Sequence, residues 1–552
     1  MFYDLLEILV DFGEAILTLF VLNYGKILLI VFVINLVILF SNAGKNKDIS
    51  NLLKALKEQK DRSKADAKKE VGDFDGSISF GGNSRHYDVS TVTTNGRGQV
   101  SKGIVSINNY GDYAVNRTNP RGEINSFYSF LNVGYKNFLY LDVTARQDWD
   151  STLPENNNSV LYPSFTGSFV FSNAMDLKSN TLSYGKLRAS YAEVGNGTDP
   201  YGLDRAYYPY PYTLDGTTFS TESGTVIPNP DLVAALTKGY EFGLEAKFFD
   251  YRVGVDVTYY NQTTFNEIVN LPVSLASGGK AYKLINAGEL NNKGWEVMLT
   301  MEPIKTEDFL WDVTLNWAKN RNSIVKLHAD ASTQEIARAS WINSLIRAEE
   351  GGSYGDIVGL DFKRSPSGEP IMDENGLPVV GDEQVVLGNG QYDWTGGFTN
   401  SISYKGFGLK AHIDMKYGAD ILSMTNMKLY QYGRHANTIE GRDGWVESEN
   451  ERYAAGASIA EWTPTNGFLA DGVTEVADVD GNGNPVMDED GNQTYSYKKN
   501  DQYSNPVDYY GRLANSSILS PFIYDASYVK LREVALSYSL PDHWMKASGF
   551  IN

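Results

Sequence analysis

The stretch that decides the fold is residues 240–260, YEFGLEAKFFDYRVGVDVTYY, in which apolar and polar side chains alternate along two arms. Every second residue is apolar over residues 240–248, and the same rule resumes over 251–259 after a turn at 249–250. Strand side chains alternate between faces, so this is a hairpin with one apolar and one charged face. Each arm has about ten residues, enough for a tilted strand to cross a bilayer, and tyrosines end the apolar row. A hairpin of a soluble sandwich would alternate equally well, so other segments must decide between the two.

The composition suits a protein made of strands and turns. The chain has 552 residues, with 36 Tyr, 25 Phe, 52 Gly and no Cys. The absence of cysteine excludes a disulfide framework and a thiolate metal site. The formal net charge of -20 disfavours a nucleic-acid partner, which would require a basic surface.

Many other segments repeat the alternation, and the connections between them are of two kinds. Short turns lie at 249–250 and 405–406, whereas long polar loops span 195–236, 325–355 and 418–521. Short turns at one end and long loops at the other are typical of an outer-membrane barrel, and a soluble sandwich has no reason to sort its loops in this way. Near the end the apolar alternation shifts by one residue, which predicts a β-bulge at Arg532–Glu533.

The first 72 residues do not share this pattern. Residues 1–44 are expected to form a hydrophobic helix that is long enough to be transmembrane, and residues 45–72 a charged helical linker. The basic flank after the hydrophobic run predicts that its carboxyl side faces the cytoplasm, which conflicts with an outer-membrane location for residues 73–552. We therefore expect the N-terminal segment to be foreign to the rest, as in a fusion or a gene fragment.

Several long segments resemble the barrel of the SusC/RagA family of TonB-dependent outer-membrane transporters. The resemblance covers roughly residues 73–545 and follows the order of the family motifs. The segments that carry it are LYLDVTARQDWDSTLP (139–154), YPSFTGSFVFS (162–172), LSYGKLRASYAEVGNGTDPY (182–201), NPDLVAALTKGYEFGLEAKFF (229–249), INAGELNNKGWEVML (285–299), YDWTGGFTNSISYKGFGLKAHIDMKYG (392–418) and YDASYVKLREVALSYSLP (524–541).

The resemblance implies an all-β fold, part of a 22-stranded antiparallel barrel in the cell outer membrane. It also implies import of oligosaccharides or peptides, with a SusD-like surface lipoprotein and the TonB complex as partners beside membrane lipid. No residues match the plug or the TonB-contacting segment of the family, nor its first and last barrel strands. The expectation is therefore a barrel fragment, truncated at both ends, that does not transport by itself.

Two other classes of function stay open at this point. A passive, porin-like barrel would show the same alternation, and a soluble β-rich glycan-binding module is disfavoured only by the sorting of the loops. An enzyme is not expected, because the five histidines are scattered and no catalytic motif surrounds them.

One motif points to a metal. Asp478, Asp480, Asn482, Gly483 and Glu489 match the calcium-loop pattern D-x-[DN]-x-[DN]-G-x5-E. No helical pattern flanks the motif, and Asp/Gly-rich hairpin turns would produce the same letters for conformational reasons. The segment 370–376 echoes 485–491, which favours a repeated turn. Calcium through Asp478, Asp480, Asn482 and Glu489 is a minor expectation, and no other cofactor is expected.

Aromatic side chains in the long loops are the candidate ligand contacts. Aromatic faces suit stacking on sugar rings or peptide side chains, because they offer a large area with little flexibility. The alternative is that they pack the loops against their neighbours. The candidates are Tyr207, Tyr208, Tyr210, Tyr212, Trp445 and Trp462.

The alternation also predicts how single residues face. Val255 should face lipid, so that Val255→Arg blocks assembly at a cost of about 2–4 kcal/mol near the midplane. Asp256 should face the lumen, where the sequence alone predicts that an arginine is tolerated.

Overall fold

The computed structural model describes residues 64–540, except 178, 180, 205–206, 223–225, 275–281, 329–331, 340–343 and 516–517. The helix expected over 1–44 and the greater part of the linker therefore lie outside the described residues. No helix in the described part of the chain is long and apolar enough to cross a membrane.

Thirteen strands form one continuous antiparallel sheet, and each pairs with the next wall strand along the chain. We call this sheet the wall. Its strands are β1 (Lys64–Val71), β2 (Phe74–Asp88), β3 (Arg121–Tyr135), β4 (Leu139–Asp150), β5 (Ser159–Phe169), β6 (Leu182–Asn196), β7 (Ala235–Phe248), β8 (Val253–Phe265), β9 (Glu289–Lys305), β10 (Phe309–Lys326), β11 (Trp394–Tyr404), β12 (Phe407–Tyr417) and β13 (Tyr528–Tyr538).

The hairpin that decided the fold is β7–β8, and its register places Glu245 opposite Asp256. Its turn is longer than predicted, because Phe249, Asp250 and Tyr251 all have left-handed φ angles of 53°, 56° and 67°. The second strand therefore begins at Val253 rather than at Tyr251. The turn between β11 and β12 has the two residues predicted, Lys405 and Gly406, with φ angles of 45° and 90°.

The predicted β-bulge in the last wall strand is confirmed. In the β12–β13 pair, Ile413 lies opposite Leu531 and His412 opposite Glu533, which leaves Arg532 as the extra residue. The extra residue restores the alternation on either side of it. The side chain of Arg532 donates to the carboxylate of Asp414 at 2.8 Å.

The prediction of a helical linker over 45–72 is wrong for Lys64–Val71, which form strand β1. In the β1–β2 register Ala65, Ala67 and Val71 lie opposite Phe80, Ile78 and Phe74. Ala, Lys and Glu favour helix locally, but pairing with the free edge of β2 prevails over that weak preference.

The two faces of the wall differ in polarity. One face exposes apolar side chains, among them Leu187, Phe242, Leu244 and Leu409. Aromatic rings line this face at the turn end, where Phe309 meets Tyr404 and Phe407 meets Tyr538 at centroid distances of 6.3 and 4.4 Å. Tyr259 and Trp295 pair toward the opposite end at 5.1 Å. Such rings at both ends of an apolar band mark the two membrane interfaces, so this is the lipid face and the other is the lumen face.

At one end of the wall the connections have two to four residues, except for 170–181, whereas at the other end all but 151–158 have more than twenty, so the longest loops emerge at that end. The long connections contain short strands at Thr91–Gln99, Tyr110–Thr118, Tyr207–Leu214, Thr217–Glu222, Val226–Ile227, Ile268–Pro272, Tyr282–Asn286, Thr333–Ala339, Ser344–Glu349, Asp356–Gly359, Ile371–Met372, Val385–Asn389, Asp420–Leu422, Phe468–Leu469, Val473–Ala477, Tyr495–Lys499, Tyr503–Ser504 and Ile523–Asp525. The α-helices are α1 (Phe171–Ala174), α2 (Met424–Gln431), α3 (Arg442–Ala455) and α4 (Pro506–Asn515), and 3₁₀ turns lie at Ile107–Asn109, Ala436–Ile439, Ile459–Glu461 and Ser520–Phe522.

Candidate functional site

Paired charges cover the lumen face of the central strands. The Lys186 ammonium lies 2.9 Å from the Glu245 carboxylate, and Lys247 lies 3.3 Å from the same group. The Arg188 guanidinium binds the Asp256 carboxylate through two hydrogen bonds of 2.9 and 2.6 Å. Bidentate pairing of this kind holds both side chains in one geometry. The central lumen face is therefore polar, and both of these carboxylates are paired with cations.

A glycine on the strand between them allows Arg188 to reach Asp256. Gly243 lies between Arg188 of β6 and Thr258 of β8 in the sheet register. A Cβ built on Gly243 would stand 2.3 Å from the Arg188 Nε, which is a clash. The missing side chain thus provides the path along which the arginine crosses β7.

The two longest connections, 327–393 and 418–527, fold together into one body that we call the loop unit. Leu360 and Ile518 form a parallel bridge, and the Leu519 amide donates to the Leu360 carbonyl at 3.0 Å. Strand Ile371–Met372 pairs in parallel with the beginning of Val473–Ala477. The Lys363 ammonium adds an ion pair to Glu475 at 2.8 Å. These contacts join segments more than 100 residues apart, so the two connections fold as one unit.

The loop unit has its own apolar core. Met427 of α2 packs with Ile518, Leu519 and Phe522, all of them 0–1% exposed. Tyr510 of α4 belongs to the same core, and its hydroxyl donates to the Asn437 carbonyl at 3.0 Å. Burial raises the pKa of both Tyr509 and Tyr510 to about 12. A core this well buried indicates that the loop unit is rigid enough to present side chains in defined positions.

Repeated turns built on aspartate extend the loop unit. The Asp480 carboxylate accepts from the backbone amides of Asn482 and Asn484 at 2.8 and 2.9 Å. The Asp488 carboxylate accepts in the same way from the backbone amides two and four residues later in the chain. The Asp373 carboxylate does so as well. Hydrogen bonds from the backbone and side chain of Asn484, and then from the backbone of Asn482, hold the pKa of Asp480 below its usual value. The repeated turn expected from the similarity of 370–376 and 485–491 is present.

The calcium candidates lie along two of these turns. Asp480 and Asn482 belong to the first turn, and Glu489 lies in the second. Asp478 precedes both turns and its carboxylate accepts from the Ser496 hydroxyl. No group of three or more His, Cys, Asp or Glu side chains arranged for a metal occurs in the part of the chain that the structure describes. Calcium at Asp478, Asp480, Asn482 and Glu489 stays a prediction.

The aromatic candidates fall on two separate loops. Tyr207, Tyr208, Tyr210 and Tyr212 lie on the strand Tyr207–Leu214, where the Tyr207 side chain is exposed. Trp445 lies on α3, and Trp462 packs beside the same helix, with its Nε1 donating to the Ser448 hydroxyl at 3.3 Å. Both tryptophans are half-buried. The structure thus brings both tryptophans to one helix, Trp445 on it and Trp462 beside it. A role in ligand contact stays a prediction for all six residues.

Sequence reasoning did not single out the charged residues of the lumen face. Arg188, Glu245 and Asp256 were recognised only as members of a polar row. The register that brings them together depends on which strands are neighbours. A usable signal was the glycine at 243 within a charged face, since a glycine inside a strand often marks a close approach.

The sequence profile described as "TonB dependent receptor-like, beta-barrel" matches residues 42–414. TonB-dependent receptor P26 of Formosa agariphila is 27% identical over 378 residues, covering 63% of this chain and 38% of the relative. TonB-dependent receptor SusC of Bacteroides thetaiotaomicron is 26% identical over 282 residues, covering 50% of this chain and 28% of the relative.

Solved structures share the fold. The RagAB peptide importer in its open-open state superposes with a TM-score of 0.62 at 19% identity, covering 87% of this chain and 48% of that one. The RagAB peptide transporter gives 0.57 at 22% identity, covering 66% of this chain and 41% of that one. The chain spans less than two fifths of the length of these curated relatives and about half of the solved chain.

Proposed function

The chain belongs to the TonB-dependent receptor-like β-barrel family of outer-membrane transporters, and we propose that it forms wall and outer loops of a TonB-energised importer of oligosaccharides or peptides. The observation that carries the proposal is the wall itself. It combines an apolar, aromatic-bordered lipid face with a lumen face of paired charges, and sends its longest loops to one end. A polar lumen and large outer loops suit the capture and passage of a polar solute.

The partners we propose are a SusD-like surface lipoprotein at the loop end and the TonB complex. The loop unit supports the first, since it is a packed body with a core of its own at the end where a surface protein would sit. The TonB complex follows from membership of the family. Membrane lipid contacts the exposed apolar side chains of the wall.

Three other functions were weighed from the sequence: a soluble glycan-binding module, an enzyme and a passive barrel. A soluble glycan-binding module is wrong, because this family resides in the outer membrane. Family members are transporters rather than enzymes. A passive porin-like barrel would have the same wall. It differs from the proposed importer because its uptake would not need energy from TonB.

The test is uptake by cells that produce this chain joined to the plug, the TonB-contacting segment and the remaining barrel strands of a family member, with and without TonB. Radiolabelled neutral hexasaccharides and hexapeptides are supplied to both strains, and the outer-membrane content of the protein is matched by immunoblot. We expect uptake that disappears when TonB is deleted. Equal uptake in the two strains would establish the passive barrel instead.

A further inference from the structure

A row of uncharged polar side chains crosses three strands of the lumen face near its loop end. Gln262 of β8, Asn292 of β9 and Asn322 of β10 lie side by side in the register. One step toward the turns, Tyr260, Gly294 and Asn320 form the next row. Neighbouring strands are about 4.8 Å apart, so each row is about 10 Å wide. The width suits one or two sugar rings.

Hydrogen bonds fix the orientation of the amides. Asn320 and Asn322 both donate to the Asn292 Oδ1, at 3.1 and 2.9 Å. Asn322 in turn accepts from the backbone amide of Tyr354 at 2.9 Å, which anchors the row to the loop above it. The Asn292 oxygen is therefore occupied, and its Nδ2 has no partner among the described residues. Asn292 presents a preset donor to the lumen.

An aromatic ring lies beside this donor. The Tyr260 hydroxyl donates to the Asn320 Oδ1 at 3.1 Å, so its side chain spans Gly294. A Cβ built on Gly294 would stand 2.5 Å from the Tyr260 hydroxyl oxygen, so only glycine leaves room for the ring. The ring is half-buried and partly open to the lumen. It offers an apolar face bordered by hydrogen-bonding groups.

On these three strands, the only charge in the two rows and the next one is the Glu296 carboxylate. On the neighbouring strand β7, Glu241 lies opposite Tyr260, and Arg188 of β6, which is paired with Asp256, donates to Thr258 of the next row. Glu296 lies one step below Gly294 on the same face, between Thr258 and Ala318. It has no ion-pair partner among the described residues. A carboxylate accepts hydrogen bonds from hydroxyl groups and repels anions. The charged side chains that flank the rows on the same strands, Lys293, Lys319 and Arg321, alternate to the other face of the wall.

We propose that Tyr260, Gln262, Asn292, Glu296, Asn320 and Asn322, the amide patch, bind a neutral oligosaccharide. The Tyr260 ring stacks on the apolar face of a sugar, the Asn292 amide donates to a hydroxyl, and the Glu296 carboxylate accepts from another. The Glu296 carboxylate repels an acidic sugar or the carboxylate end of a peptide. The amide patch contains no cation that would offset this repulsion. This inference rests on the proposed import function and selects its substrate class.

The experiment is binding to the purified protein in detergent by isothermal titration calorimetry. The probes are neutral hexasaccharides of glucose, xylose and mannose, a hexamer of galacturonic acid, and a mixture of hexapeptides. We expect a neutral hexasaccharide to bind, Asn292→Ala to weaken it about fivefold as one lost hydrogen bond would, and Tyr260→Ala to weaken it more. Glu296→Gln should allow the galacturonate hexamer to bind.

The matched control is Asn83→Ala, which removes the same side chain from an exposed position on β2, six strands away from β8 in the wall. It should leave the affinity unchanged. Tyr260→Phe keeps the ring and should retain most of the affinity. If Tyr260→Ala fails to fold, the loss of affinity in Asn292→Ala and the binding of galacturonate by Glu296→Gln are the tests. Equal affinity in all variants would overturn the amide patch, and binding of peptides or galacturonate alone by the unaltered protein would overturn its substrate class. Either result would leave TonB-dependent uptake, and with it the proposed function, intact.

Discussion

At the residue scale, the pair formed by Arg188 and Asp256 changes what a substitution in the lumen should do. The alternation predicted that an arginine at Asp256 is tolerated because the site faces water. The structure places the Arg188 guanidinium within 2.6 Å of that carboxylate, so a second arginine would set two cations against each other. The facing prediction agrees with the structure, but the expected tolerance of Asp256→Arg no longer holds.

We expect Val255→Arg to reduce the folded protein in the outer membrane, because a cation on the lipid face costs about 2–4 kcal/mol near the midplane. Asp256→Asn is the matched lumen variant, since it keeps the shape and one acceptor for Arg188 and should assemble nearly as well. The measurement is the amount of protein in the outer membrane. Equal losses for the two variants would contradict the assignment of the faces.

Gly243→Ala should destabilise the wall by about 1–3 kcal/mol, because its Cβ displaces Arg188 and leaves a charged hydrogen bond unmade. Gly167→Ala is the control, since nothing lies within 4 Å of a Cβ built there. Urea unfolding of the two variants in detergent gives the difference. A stable Gly243→Ala protein would show that the ion pair is not held across this glycine.

At the element scale, the loop unit behaves as a small domain. Its helices are short, and α2 and α3 are not stable by themselves at this length. The core around Phe522 and Leu519 supplies the stability that local propensity does not. Damage to this core should therefore unfold the loop unit and leave the wall in place.

Phe522→Ala removes a side chain that is 1% exposed and should cost the loop unit about 3–5 kcal/mol. Limited proteolysis of intact cells should then cleave the 418–527 connection while the amount of wall in the outer membrane is unchanged. Ile459→Ala, at a site 79% exposed, is the control and should resist cleavage. Loss of the wall together with the loop unit would refute their independence.

Alkaline pH should loosen the loop unit. The folded pKa of Tyr510 is about 12, whereas the ordinary value is 10.0, so the unfolded chain loses its proton first as the pH rises. Stability is full below pH 10 and declines between pH 10 and about 12. Proteolysis of the loop unit as a function of pH measures this decline. Tyr509→Phe, which removes one of the two raised groups, should make the decline shallower.

At the scale of the whole molecule, the wall separates three environments: lipid, the lumen and the outside of the cell. The apolar face meets lipid, the paired charges line the lumen, and the long loops lie on the outside of the cell. The formal net charge of -20 is the excess of 68 Asp and Glu over 48 Lys and Arg, so it reflects carboxylates beyond those that pair with cations on the wall.

Because the chain has no cysteine, single cysteines can be labelled without background. A membrane-impermeant maleimide applied to intact cells should label Asn482→Cys in the loop unit but not Lys405→Cys in a short turn. In purified protein reconstituted into bilayers, Glu245→Cys should react and Leu244→Cys should not. Labelling of Lys405→Cys in intact cells would reverse the orientation of the wall.

The sequence by itself determined the wall. Alternation is a local property with a period of two, so the strands, their faces and the bulge at Arg532 were predictable. The sorting of the loops was predictable because the length of each connection is read directly from the chain. The strand Lys64–Val71 was missed because its local preference is helical and only the edge of β2 overrides it.

Tertiary structure alone decided which residues meet. Arg188 and Asp256 lie 68 residues apart, and Lys363 and Glu475 lie 112 apart. The loop unit, the crossing at Gly243 and the amide patch all depend on which strands and loops become neighbours. Such contacts depend on the register of paired strands and on the packing of distant segments, and neither leaves a periodic trace in the sequence.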